Sequence, residues 1–215
     1  MASIFPVTLS TYCCDTWPSC QAHIDTVKRS AFYSCWDPRV LGCWLQFGIR
    51  HVQVPPNSNN NDNYNHNHDQ RPITLVTTKH QEVFTFVRPT FYGDPAISPA
   101  EDKFNYPDLH TDQSKDAFYR PEPPTILCRL PTLCAAVLYI SGGESELSPP
   151  EWCTQWIQLT GKGLGGSGGV RAGHVKSIML ENCGHLLAME NPKGCAEAAA
   201  GFIGARLAIW QNQRL

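Results

Sequence analysis

The sequence predicts an α/β fold, on three observations from its last part. Two short apolar runs rich in β-forming residues, AAVLYI at 135–140 and VKSIML at 175–180, read as buried strands. A helical segment follows each: one opened by Pro149-Pro150 and running from about Glu151 to Leu159, the other starting at Asn191-Pro192. Strand, helix, strand, helix is the order of a parallel sheet, whose strands need long crossover connections. Two strands do not make such a sheet by themselves. Residues 131–215 therefore read as the strand–helix–strand–helix part of an α/β domain, and residues 1–130 as a mostly helical and irregular part.

Within 10–50 two short helices are expected. The first starts after Trp17-Pro18-Ser19 and the second after Asp37-Pro38, where aspartate caps and proline takes the first turn. Val40, Leu41, Trp44, Leu45 and Phe47 give the second an apolar side. The tract 55–72, with the core NSNNNDNYNHNHDQ, is low in complexity and too polar to bury anything, so it reads as a disordered loop. Ile73 to Thr77 is a short strand, and Lys79 to Val87 a short helix or an extended segment. Pro89 to Pro124 carries Pro, Asp and Tyr clusters without a sustained period. In the last helix Asn191 can cap and Pro192 suits the first position, because the N–H that proline lacks is unpaired there anyway. Cys195, Ala199, Phe202, Ile203, Leu207 and Trp210 are spaced to form one apolar stripe.

The totals bound the function classes. At 215 residues the chain allows one large domain or two small ones, and 42% hydrophobic residues with six Trp suffice for a core. A net charge of −2 gives no electrostatic case for nucleic acid or an anionic membrane surface. No apolar run is long enough to span a bilayer, and the start MASIFPVTLS lacks the basic and apolar regions of a secretory signal. Without that signal, the ten Cys read as free thiols rather than a disulfide framework. Cys13-Cys14, Cys20, Cys35 and Cys43 never form the C-x-x-C pairs of a zinc site. His66 and His68 stand at alternate positions, but nothing around them would fix a metal's outer shell. No metal and no cofactor are expected.

Two motif matches fail on context. Gly165-Gly166-Ser167-Gly168-Gly169 fits G-x-S-x-G, yet a nucleophile elbow needs a strand leading in and a helix leading out. Here a helix leads in and a strand leads out, so Ser167 reads as a loop serine. Gly161-x-Gly163-x-x-Gly166 fits a dinucleotide fingerprint but lacks its preceding strand. The whole segment TGKGLGGSGG reads as a flexible connection. His185, on the turn between the last strand and the last helix, fits either a general base reaching a cleft or a solvated turn histidine.

Several stretches together resemble the fungal α/β-hydrolases of secondary metabolism, the group with the AK-toxin biosynthesis hydrolases and the mycophenolic acid acyl-CoA hydrolase. They are WDPRVL at 36–41, TTKHQEVF at 77–84, FYRPEP at 118–123, GGSGG at 165–169, and Val175 to Glu190 with Gly184-His185-Leu186. The resemblance implies a cap over an active site for the first part and the last two strands and helices for the second. It places the catalytic histidine at His185. Members of the family carry an N-terminal half with six strands, a G-H-S-M-G-type elbow and the oxyanion-hole loop, whereas this sequence starts at the cap. The expected fold is thus a partial α/β-hydrolase fold, the nucleophile half absent. The family's acid stands either after the sixth strand or in the loop after Ile140. Glu144 and Glu146 are weak candidates there, with a solvated loop face as their simpler role, and Ser145 occupies the place where many hydrolases have aspartate.

The resemblance implies an ancestral ester or acyl-CoA thioester hydrolase with a small-molecule acyl substrate, inactive as this chain alone. A non-catalytic remnant or interaction module self-associating through an exposed sheet edge is the alternative, as is a truncated gene model of an active hydrolase. The ending Gln213-Arg214-Leu215 half-matches a peroxisomal address, so cytoplasmic or peroxisomal residence is expected. One test follows from composition. Deleting Asn57 to Gln70 should change stability by no more than about 0.5 kcal/mol, because loop closure depends only weakly on length. A marked fall in the melting temperature of the deletion variant would show that the tract packs on its neighbours.

Overall fold

The structure, a computed structural model, describes residues 5–52, 71–89, 118–119 and 122–213. The Asn-rich tract with His66 and His68, most of Pro89–Pro124, and Arg214-Leu215 lie outside the described residues. The chain forms two compact units, Met1–Ser34 with Arg39–Glu122, and Cys35–Pro38 with Pro123–Leu215.

The first unit is built around a small antiparallel sheet. Its strands are β1 (Thr16–Trp17), β2 (Ile49–His51) and β3 (Ile73–Leu75), in the order β1-β3-β2. Ile73 pairs with Trp17 on one side and His51 on the other, and it is only 1% exposed. The helix α1 (Phe5–Tyr12) packs against α5 (Lys79–Phe86). α2 (Cys20–Arg29) starts where expected, with Ser19 Oγ accepting from Ala22 N at 3.2 Å. It is followed by α3 (Ala31–Ser34) and α4 (Pro38–Phe47). The alternative left open at 79–87 resolves as helix, because Thr78 and Gln81 form a reciprocal capping box. A pairing of Arg88–Pro89 (β4) with Phe118–Tyr119 (β5) completes the described strands here.

Six elements of this unit go beyond the sequence reading: α3, β4 and β5, as well as α1 and the strands β1 and β2. The two strands are too short to show alternation, and β3 supplies the hydrogen bonds that define them. α4 forms as expected, with Val40, Leu41, Trp44 and Leu45 half-buried. Phe47 departs from expectation and stays exposed. The helix ends there, and Gly48 N folds back onto Trp44 O at 2.7 Å.

The second unit holds the expected parallel pair. After α6 (Glu122–Arg129) and a 3-10 turn at Leu130–Thr132 comes β6 (Val137–Gly142), which pairs in parallel with β7 (Val175–Leu180). The register runs from Val137 opposite Val175 to Gly142 opposite Leu180. β6 thus begins two positions later than the apolar run suggested, where Val137 N reaches His174 O at 2.8 Å. α7 (Pro150–Leu159) packs on β7, and Tyr139 Oη meets the buried Thr160 Oγ1 at 2.7 Å to tie the sheet to the end of that helix.

The connection TGKGLGGSGG is not a loose linker, which corrects the sequence reading. Gly161 N, Gly163 N and Ser167 N donate to Leu130 O, Pro131 O and Leu133 O at 2.8–2.9 Å. A side chain at Gly166 would overlap Gly161 O and Pro131 O, both 2.5 Å from where its Cβ would stand. Glycine here allows close backbone approach rather than looseness.

The last helices are α8 (Leu187–Glu190) and α9 (Pro192–Asn212), the latter capped by Asn191 Oδ1 on Gly194 N at 2.8 Å with Pro192 in its first turn. α9 lies against β6, and Cys195, Ala199 and Phe202 of its expected stripe are half-buried. The expected single stripe breaks at this point: Ile203, Leu207 and Trp210 are 49–55% exposed. The apolar face of the helix is wider than a two-strand sheet can cover.

His23 carries a testable consequence. It is 0% exposed, packed edge-on against Trp17 with ring centroids 4.2 Å apart and tilted against Trp44 at 5.1 Å. Neither ring nitrogen has a hydrogen-bond partner among the described residues. Burial disfavours the charged imidazolium and holds the pKa of His23 below its ordinary value of 6.5. The unfolded chain then binds the proton more readily, so the stabilisation is present above that ordinary value and is lost as pH falls towards the depressed native one. Thermal unfolding followed by tryptophan fluorescence should show a falling midpoint between about pH 7.5 and 5, with a smaller slope in His23→Leu. The same slope in both proteins would remove His23 from the account.

Candidate active site

The carboxyl ends of the two parallel strands meet in a pair of stitched loops. Gly143 N donates to Leu180 O and Glu144 N to Cys183 O, both at 2.9 Å. The approach is so close that a Cβ on Gly142 would overlap the carbonyl oxygens of Cys183 and Gly184. Only glycine fits at that crossing. Crevices at the carboxyl ends of parallel strands are where open α/β sheets place ligands.

β7 leads into the turn Glu181 to His185. Asn182 takes a left-handed backbone (φ 55°), which asparagine tolerates better than most residues, and Cys183 is buried. Gly184 N donates to Glu190 Oε2 at 2.6 Å, so a carboxylate from the end of α8 braces the turn. Asp37 N donates to Met189 O at 2.8 Å and fixes α8 from a second segment of the same unit. The His185 side chain stands exposed on this frame, with Nδ1 3.3 Å from Ser145 Oγ.

The structure separates the other residues singled out in the sequence. Glu144 and Glu146 are exposed, and among the described residues neither carboxylate bonds to His185. The backbone of Glu144, not its side chain, is what contributes to the site. Ser167 lies before the amino end of β7 and His185 beyond its carboxyl end, so the strand's length of about 20 Å divides them. The Ser167 N–H is spent on Leu133 O, and its Oγ accepts from Gly169 N at 3.3 Å. Glu190 escaped the sequence reading, since a carboxylate six positions after a turn glycine follows no period.

All ten cysteines are free. Burial, with Cys183 beside it, pushes the Cys195 thiol up, which keeps it protonated and unreactive. Among the described residues no group of three His, Cys, Asp or Glu side chains could hold a metal ion. No helix among them is long and apolar enough to cross a membrane.

No family model matches the chain. Individual proteins do. The type I acyl-CoA thioesterase mpaH of Penicillium roqueforti is 30% identical over 85% of this chain and 43% of its own length. The mpaH' thioesterase of Penicillium brevicompactum is 29% identical over 94% of this chain and 46% of its own length. The abhydrolase domain-containing protein AFT2-1 of Alternaria alternata is 26% identical over 87% of this chain and 61% of its own. The chain thus spans about half the length of the relatives it matches. Among solved structures, the peroxisomal α/β-hydrolase Lpx1 of Saccharomyces cerevisiae superposes with a TM-score of 0.58, covering 97% of this chain and 42% of the yeast protein at 10% identity. Parallel pair and solved structure agree on an α/β-hydrolase fold, and the chain's homologues are these fungal acyl-CoA thioesterases and abhydrolase-domain proteins.

Proposed function

We propose that the chain supplies the cap and the histidine-bearing part of a hydrolase that cleaves an acyl ester or acyl-CoA thioester, with His185 as general base. The observation that carries this is the setting of His185. It projects from a turn braced by Glu190 and stitched to the neighbouring loop, at the carboxyl end of a parallel strand. A general base needs such a rigid frame with an open side facing substrate. The substrate class comes from the relatives, two of which are acyl-CoA thioesterases. In this reading a serine attacks the acyl carbon, the base takes its proton, and water later releases the acid by the same route.

Among the described residues that machinery is incomplete. Ser167 is out of reach of His185. The N–H groups of Glu144 and Ser145 are bonded to Cys183 O and Gly142 O, so neither faces a developing oxyanion. The purified chain, His185→Ala and Ser167→Ala should therefore all leave p-nitrophenyl esters and short acyl-CoAs at background rates. Fused behind the part of the Penicillium roqueforti thioesterase that it does not match, the chain should gain turnover. His185→Ala in that fusion should lower it by about 10²- to 10⁴-fold. Activity that survives the substitution would end the base assignment.

A second reading rests on the uncovered face of α9. Ile203, Leu207 and Trp210 border a groove of about 540 Å³ beside Ala136, and β6 has one edge with no strand beside it among the described residues. In this reading the chain is a non-catalytic module whose second copy pairs along that edge. Sedimentation would show a dimer that Leu207→Glu converts to monomer; a monomer in both proteins rules it out.

A further inference from the structure

We infer that Ser145 is a positioning residue for His185: its hydroxyl accepts a hydrogen bond from Nδ1–H and leaves Nε2 as the basic nitrogen. This rests on the reading of His185 as general base. The observation is the 3.3 Å approach of Ser145 Oγ to Nδ1, made between two loops that are fixed to each other. Glu144 N holds Cys183 O one residue before Ser145 and two before His185. Ser145 is itself clamped on both sides, its N–H donating to Gly142 O and its C=O accepting from Ser148 N, each at 3.2 Å. It is half-buried where Glu144 and Glu146 are exposed, so it is the side chain of this loop that turns inward to the ring.

The chemistry follows from the imidazole. A neutral ring carries one proton, and the hydrogen bond made by one nitrogen decides where it sits. A base that must present Nε2 needs an acceptor at Nδ1, and a hydroxyl can accept. Unlike a carboxylate, it orients the ring without adding negative charge to stabilise an imidazolium. A nucleophilic Ser145 is the competing use of the same contact. The bonded N–H groups of Glu144 and Ser145 oppose it, because neither is free to donate to an oxyanion there.

The test is imidazole ¹⁵N spectroscopy on the full chain, with the His185 signals assigned by their loss in His185→Ala. The wild-type ring should populate the Nδ1–H form, Ser145→Ala should lose that population, and Ser145→Thr should keep it. The other histidine signals report folding. If the alanine variant unfolds, Ser145→Cys, with its weak acceptor, should give the same loss. Equal populations in wild type and Ser145→Ala would overturn the inference, as would an Nε2–H ring in the wild type or covalent labelling of Ser145 by a fluorophosphonate. None of these outcomes touches the turnover of the fusion, which tests His185 as base by itself.

Discussion

The parallel pairing of β6 and β7 is the constraint on which the site depends. It brings two loops distant in sequence to one end of the sheet, in a register that sets Gly142 opposite Leu180. From there the backbone does most of the positioning. Gly143 and Glu144 donate across to Leu180 and Cys183, and the missing side chain at Gly142 lets the loops close. The Glu190 carboxylate then holds Gly184 from the far side. A one-residue slip of register would exchange the faces of the sheet and move the Ser145 loop away from His185 together.

The same pairing leaves a deficit. Parallel sheets are stable when both faces and both neighbours of a strand are covered, and here two strands carry a 21-residue helix. Cys195, Ala199 and Phe202 are half-buried, while Ile203, Leu207 and Trp210 stay about half exposed. At about 25 cal/mol per Å² of apolar surface, side chains of that size left half in water forgo a sizeable part of their contribution to stability. Among the described residues, the deficit falls in the unit that carries His185.

Much of the second unit was legible because its signals are local. Asn191-Pro192 marks a helix start whatever surrounds it, and an apolar run of six residues between turn signals reads as a strand. His185 could be placed on its turn for the same reason. What stayed hidden is non-local. The two- and three-residue strands β1 and β2 exist only because β3 pairs with them, and the burial of His23 depends on Trp17 and Trp44 closing around it. Composition also misled: six glycines with one serine suggest a flexible linker, yet here they allow the chain to lie against Leu130–Leu133 with its hydrogen bonds made.

The two ends of β7 therefore carry different tasks. At its amino end the glycine-rich loop uses its backbone groups on its neighbours, and Ser167 is absorbed into that structure. At its carboxyl end the backbone is bonded as well, and the exposed His185 side chain has Ser145 as its hydrogen-bonding neighbour among the described residues. A hydroxyl neighbour can set the direction of the ring and the place of its proton, but it brings no charge to offset an imidazolium. Rate enhancement in a site of this kind must then draw more on what faces the ring from the open side, where a nucleophile and oxyanion donors would stand. The frame that holds the ring is built largely from its own backbone hydrogen bonds.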